Sequence, residues 1–169
     1  MAVSHLSLAS SPTSVERQTC VLPIRVALAD AHDAMRRSLQ LVLAADEAVE
    51  VVGEATDLLQ LEELVKGGHP DVVVLCLGLP GGSTVREIAM LRERSHETQI
   101  VVLSMEPNSA VVNQVLVAGA AGYVLKQHAD RDLLPAIWAA ARGESYVTPE
   151  AASSPVPAFL HSYGQPLRD

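Results

Sequence analysis

The sequence predicts an α/β domain: a parallel sheet with helices on both faces. Two observations carry this. Short apolar runs rich in β-branched residues alternate with stretches of helical period, the pattern of βα units wound into one sheet. The hydrophobic share is 49% against an aromatic share of 3%. The core is therefore built of Val, Leu, Ile and Ala, which suits strands buried on both faces.

The apolar runs are Ile24–Ala29, Val49–Val52, Val72–Leu77, Ile100–Leu103 and Tyr123–Leu125, each bounded by polar, Gly or Pro residues. Helical stripes lie between them. Met35, Leu39, Val42 and Leu43 form the first; Leu58, Leu61, Leu64 and Val65 the second. Val85, Ile88 and Leu91 form the third, and Val111, Val115 and Leu116 the fourth. A last helix carries Leu133, Leu134, Ile137 and Ala141 and stops at Gly143, a left-handed cap after Arg142. Pro135 falls inside it, where it removes a hydrogen bond and favours a kink. Crossovers between parallel strands are right-handed, and a site in such a sheet forms beyond the carboxyl ends of the strands. Those ends are Asp30/Ala31, Glu54/Ala55, Cys76, Ser104 and Lys126.

Residues 1–22 are rich in Ser and Thr without a sustained period and read as a mobile extension. The domain is expected over 23–150, and 151–169, with three prolines and a glycine, reads as a linker or loose tail. The net charge is −8, which argues against unaided binding of nucleic acid, because phosphate contacts need clustered Lys and Arg. Arg36–Arg37 and Arg92/Arg94 are expected on solvated helix faces. Cys20 and Cys76 make no disulfide framework. No apolar stretch is long enough for a membrane span and no secretory signal is evident, so a cytoplasmic location is expected.

In order along the chain stand IRVALADAHDAMRRSLQLVLA, VEVVGEA, HPDVVVLCLGLPG, QIVVLSM and AGAAGYVLK, followed by GESYVTPEAA. Together these resemble the receiver domain of two-component response regulators, and most of all the NarL/FixJ type, which usually carries a LuxR-type helix-turn-helix after the receiver. The resemblance covers residues 23–151. It implies a flavodoxin-like (βα)5 fold of strand order 2-1-3-4-5, and phosphoryl transfer from a sensor kinase to one aspartate. That chemistry needs three carboxylates around Mg²⁺, with a lysine and a Ser or Thr on the phosphoryl oxygens.

Matched to that pattern, Asp30 is the first acid of the acidic pair, but Ala31 stands where the second belongs and Cys76 where the phosphoacceptor aspartate belongs. Ser104 and Lys126 match the phosphoryl-binding hydroxyl and lysine, and Tyr123 the aromatic switch position. One carboxylate of three makes a poor Mg²⁺ cage and a soft thiol is a poor substitute. Loss of aspartyl phosphorylation and of Mg²⁺ binding is expected, with no cofactor and no enzymatic activity. Asp33, set into the first helix, is not expected to reach the vacant place.

The favoured reading of Cys76 is a small buried hydrophobe filling vacated space. A redox-sensing thiol, helped by Lys126, is a second reading, and ligand contact or rare phosphorylation a third. Lys126 is expected to pair with Asp30, because an unpaired charge in a cleft is costly. Ser104 and Tyr123 read as relics of the switch in preference to a working coupling. The six histidines show no ligand spacing, so no metal site is expected, and no G-x-S-x-G elbow is present. Trp138 reads equally as an interface anchor or as edge packing.

The sequence therefore points to an atypical, phosphorylation-independent receiver of a bacterial transcriptional regulator. It would act as a homodimer through its first and last helices, with a small molecule as a possible occupant of the degenerate pocket. DNA would be read only through a helix-turn-helix not seen in these residues. The alternatives are a stand-alone interaction module and a receiver responding to oxidation of Cys76.

Overall fold

The computed structural model describes residues 22–82 and 84–153. The expected extension before Leu22, with Cys20 and His5, lies outside the described residues, as does the tail beyond Ser153 with His161. The elements run β1 (Ile24–Ala29), α1 (Asp33–Leu43), β2 (Val49–Ala55), α2 (Leu58–Gly68), β3 (Val72–Cys76) and α3 (Thr84–Arg94). There follow β4 (Gln99–Ser104), α4 (Ser109–Val117), β5 (Gly122–Leu125), a 3-10 turn (Lys126–His128), α5 (Ala129–Ala141), β6 (Tyr146–Val147) and α6 (Pro149–Ala152). The sheet order is β2-β1-β3-β4-β5-β6 and every pairing is parallel. This is the flavodoxin-like arrangement.

The pleat sends alternate strand residues to opposite faces, and the core divides accordingly. Ala27, Ala29, Val73, Leu75, Ile100, Val102 and Leu125 pack with Leu61, Val65, Ile88, Leu91, Val112 and Val115 of α2, α3 and α4. Val26, Leu28, Val74, Cys76, Val101, Leu103 and Val124 pack with Leu39 and Leu43 of α1 and with Leu133, Ala136 and Ile137 of α5. Burying any one of the Val, Leu and Ile side chains among these is worth about 1.5–3 kcal/mol. That packing carries α5 unbroken through Pro135, although the ring removes one helical donor.

Local signals set the helix ends. Asp57 caps α2 by accepting from Gln60 N, and Asn108 caps α4 by accepting from Ala110 N. Gly143, at φ +75°, closes α5 as expected. Among the described residues no helix is long and apolar enough to cross a membrane.

Two features differ from expectation. A sixth strand joins the edge of β5: Tyr146 N donates to Ala121 O and Thr148 N to Tyr123 O. Two residues are too few to show a period, so only the neighbouring strand reveals it. The expected boundary at residue 150 falls inside α6, whose Ala151 is fully buried. This C-terminal element is fastened by Thr148, whose hydroxyl donates to buried Asp132 Oδ2 at 2.8 Å and accepts from Leu125 N at 3.2 Å.

Thr148→Val keeps the shape but leaves Asp132 and the Leu125 amide short of a partner. A loss of about 1–3 kcal/mol is expected. Hydrogen exchange should accelerate at 146–152 while β1, β3 and β4 keep their protection. Uniform loss of protection would contradict this local role.

Candidate functional site

The neighbouring strands β1 and β3 end in Asp30 and Cys76, and Lys126 reaches the same point from the end of β5, across β4. Lys126 Nζ lies 2.8 Å from Asp30 Oδ2, so the expected pair is present. The Cys76 thiol donates to the same oxygen at 2.5 Å. The other oxygen, Oδ1, accepts from the backbone N–H of His32 at 2.8 Å and lies 3.0 Å from its Nδ1. Asp30 is 1% exposed and Cys76 3%, so each group depends on the others for its polar partners.

The charges follow from these contacts. Burial pushes the Asp30 carboxyl up, but hydrogen bonds from Cys76, Lys126 and His32 outweigh it and hold the pKa at about 2. Burial works against the Lys126 ammonium as well, and its bonds to Asp30 and Cys76 still raise it above the usual lysine value. Burial, and then the bond to Asp30, push the Cys76 thiol up to about 12. The nearby Lys126 pulls the other way and loses. The help that Lys126 was expected to lend a redox-sensing thiolate is thus cancelled, because its charge is already matched by Asp30. A buried thiol at that pKa is a poor nucleophile; Cys76 is buried, as the reading of a small buried hydrophobe expects, but it is also a hydrogen-bond donor to Asp30, which that reading did not include.

The donor set does not fit Mg²⁺. The ion wants hard oxygens in near-octahedral array. Here both oxygens of the one surviving acid are occupied, with an ammonium at one of them, and Ala31 and Cys76 add none. Among the described residues no group of three or more His, Cys, Asp or Glu is placed to hold a metal. Asp33 turns away to pair with Arg36 and is largely exposed.

Ser104 and Tyr123 meet at one residue of the loop between β4 and α4. Ser104 Oγ accepts from Glu106 N at 3.0 Å, and Tyr123 OH donates to Glu106 O at 2.6 Å. Tyr123 is fully buried, and burial pushes its phenol up. Trp138 is half-buried and donates its indole N–H to Asp46 Oδ2 at 2.9 Å. That contact pins α5 to the turn after α1 and leaves part of the ring uncovered.

Arg36 and His32 escaped sequence reasoning, and Glu54 was placed at a strand end without a role. Arg36, expected on a solvated face, is buried. It donates to the Asp30 carbonyl at 2.8 Å and to Glu54 Oε2 at 2.6 Å. Glu54, at the end of β2, and His32 complete that surround. The only sequence signal was adjacency to strand ends, since charged type alone argues for exposure.

Asp30→Asn leaves the Lys126 ammonium with no countercharge, and a loss of about 3 kcal/mol at neutral pH is expected in chemical denaturation. The Asp30 pKa is lowered on folding, so its contribution is complete above its unfolded value of 3.8 and fades as pH falls toward 2. The gap between wild type and variant should close over that window; a gap independent of pH would remove the ion pair as its cause. Cys76 should also resist thiol reagents in the folded protein at pH 8 and react at an ordinary rate once unfolded. Prompt labelling of the native protein would contradict the burial.

Residues 26–138 match the family model described as response regulator receiver domain. The chain is 30% identical over 143 residues to the oxygen regulatory protein NreC of Staphylococcus carnosus, covering 84% of this chain and 66% of that one. It thus spans just under two thirds of that curated relative. The receiver domain of the response regulator NarL from Mycobacterium tuberculosis superposes with a TM-score of 0.69 at 32% identity, over 73% of this chain and 99% of that one. RcsB, in a structure of two RcsB dimers bound to two parallel DNAs, superposes with a TM-score of 0.71 at 28% identity, over 77% and 66%. A family model matched over residues 26–138 and a fold shared with receiver domains lead to one conclusion: the chain belongs to the response-regulator receiver family, in its NarL/NreC branch.

Proposed function

We propose that this receiver regulates transcription without accepting phosphate, its pocket held in one state by the Lys126–Asp30 pair. The observation that carries the reading is the saturation of Asp30: three donors, the Lys126 ammonium, the Cys76 thiol and the His32 backbone N–H, occupy both oxygens, with the His32 ring nitrogen 3.0 Å from one of them. A Mg²⁺ ion entering here would have to expel Lys126 and would find one carboxylate where phosphoryl transfer needs charge neutralisation from several groups. Cys76 gives no aspartyl oxygen to phosphorylate. The residues do no bond-breaking chemistry in this reading, and the module is not an enzyme.

The clamp of Ser104 and Tyr123 on Glu106 supports a single resting arrangement. Without a phosphoryl group to draw Ser104 away, nothing at the pocket favours a second state, and a ligand shifts an equilibrium only through differential affinity. A small molecule at this pocket would have to break the Lys126–Asp30 pair, so a locked pocket is the better-supported reading.

Signalling then rests on surfaces. Self-association through α1 and α5 is supported by the exposed Leu41 of α1 and the uncovered part of Trp138, since half-buried tryptophans often anchor interfaces. The dimeric, DNA-bound RcsB supports a parent regulator that dimerises and reads DNA through a separate domain.

Incubation with a small phosphodonor and Mg²⁺, followed by intact mass measurement, should leave the wild type unchanged. Ala31→Asp/Cys76→Asp restores the missing oxygens and should gain an acid-stable, base-labile phosphoryl adduct that depends on Mg²⁺. A phosphoryl adduct on the wild type would overturn the proposal.

A further inference from the structure

Lys126 reaches Asp30 from the short 3-10 turn, Lys126–His128, that joins β5 to α5. Both ends of that turn are held by the C-terminal element, Tyr146–Ala152. Just before the turn, the Leu125 N–H donates to Thr148 Oγ1 at 3.2 Å. At its far end, His128 Nε2 lies 3.6 Å from Glu150 Oε1. In the first turn of α5, Asp132 Oδ2 accepts from the Thr148 hydroxyl at 2.8 Å, and Arg131 Nη2 lies 3.4 Å from Glu150 Oε2. Ala151 is fully buried in the same core cluster as Tyr123 and Leu125.

The element that does this holding is slight. β6 pairs with β5 at two positions, Tyr146 with Gly122 and Val147 with Tyr123, and α6 has four residues. A short edge strand and one helical turn open at lower cost than the strands behind them. The Lys126 ammonium bonds to both Asp30 and Cys76, and its side chain is 12% exposed. Lysine carries its charge on a flexible four-carbon stem, so where the ammonium rests depends on where the backbone is held.

We propose that Tyr146–Ala152 is a latch on the pocket: docked on β5, it fixes the turn that sets Lys126 on Asp30, and undocked, it frees that turn and opens Asp30 and Cys76 to solvent. The inference rests on the locked-pocket reading above and names what regulates the lock. The two states of the latch and the two states of the pair bias one another. Whatever favours undocking weakens the Lys126–Asp30 pair, and whatever breaks the pair favours undocking by the same factor. The element runs on into residues 154–169, so a partner that draws it off the edge of β5 would act on the pocket without entering it.

The test reads both directions in the full chain. Thr148→Val should raise the rate at which Cys76 reacts with a thiol reagent at pH 8 by about tenfold, the factor expected when a buried, hydrogen-bonded hydroxyl is lost. Peptide mass separates Cys76 from Cys20. Val65→Ala, a core change in α2, which packs on β1 and β2, controls for general destabilisation and should leave that rate nearly unchanged. In the other direction, Lys126→Met should speed amide exchange at 146–152 more than in α2 and β2; this arm decides alone if Thr148→Val does not fold. Equal acceleration of Cys76 labelling in Val65→Ala, an unchanged Cys76 rate in a folded Thr148→Val, or unchanged exchange at 146–152 in Lys126→Met would each overturn the latch. A phosphoryl adduct on the wild type would strike the locked pocket itself, whereas unchanged rates without an adduct would strike the latch alone.

Discussion

The pocket of this receiver depends on one buried carboxylate. Asp30 has been taken out of water at the end of the interior strand β1, between β2 and β3. A carboxylate there survives as an ion only if its neighbours replace the solvation it has lost. Lys126, Cys76 and His32 do this between them, and Arg36 fixes the adjoining peptide through the Asp30 carbonyl. The arrangement reaches across β5, β3, β1 and α1. Removing one partner therefore disturbs every strand end that faces the site.

This inverts the usual logic of such a pocket. A cluster of carboxylates is electrostatically unfavourable until a cation neutralises it, and that frustration makes the site responsive to metal and phosphoryl group. In the function proposed above, alanine and cysteine stand where two acids would be, and the lysine that would await a phosphoryl oxygen is matched by Asp30. Charge balance is reached within the chain. The thiol completes it: small enough to be buried, it donates a hydrogen bond where a second carboxylate would repel.

Much of this was legible beforehand because it depends on short-range pattern. The five main strands and five main helices follow from apolar period, and Gly143 ends α5 because a left-handed residue is needed there. The identities of Asp30, Ala31, Cys76, Ser104 and Lys126 could be read in place because they follow strand ends, and the Lys126–Asp30 pair because two opposite charges meeting in a cleft have few other choices. What escaped was long-range. Arg36 looked like a surface residue on an amphipathic helix, yet Glu54, eighteen positions away on a neighbouring strand, draws it inward. The meeting of Ser104 and Tyr123 on the backbone of Glu106 has no signature in side-chain type, since a backbone group accepts or donates at any residue.

The sequence by itself determined the fold class and the order of the strand ends at which Asp30, Cys76 and Lys126 stand, because hydrophobic period and residue chemistry act locally. Only the tertiary structure decided which polar group each buried charge would meet. It raised Cys76 to a thiol that resists ionisation, attached β6 to the sheet edge, and buried the Glu87 carboxyl with no hydrogen-bond partner among the described residues. Such outcomes depend on distances between residues far apart in the chain, set by the packing of whole elements.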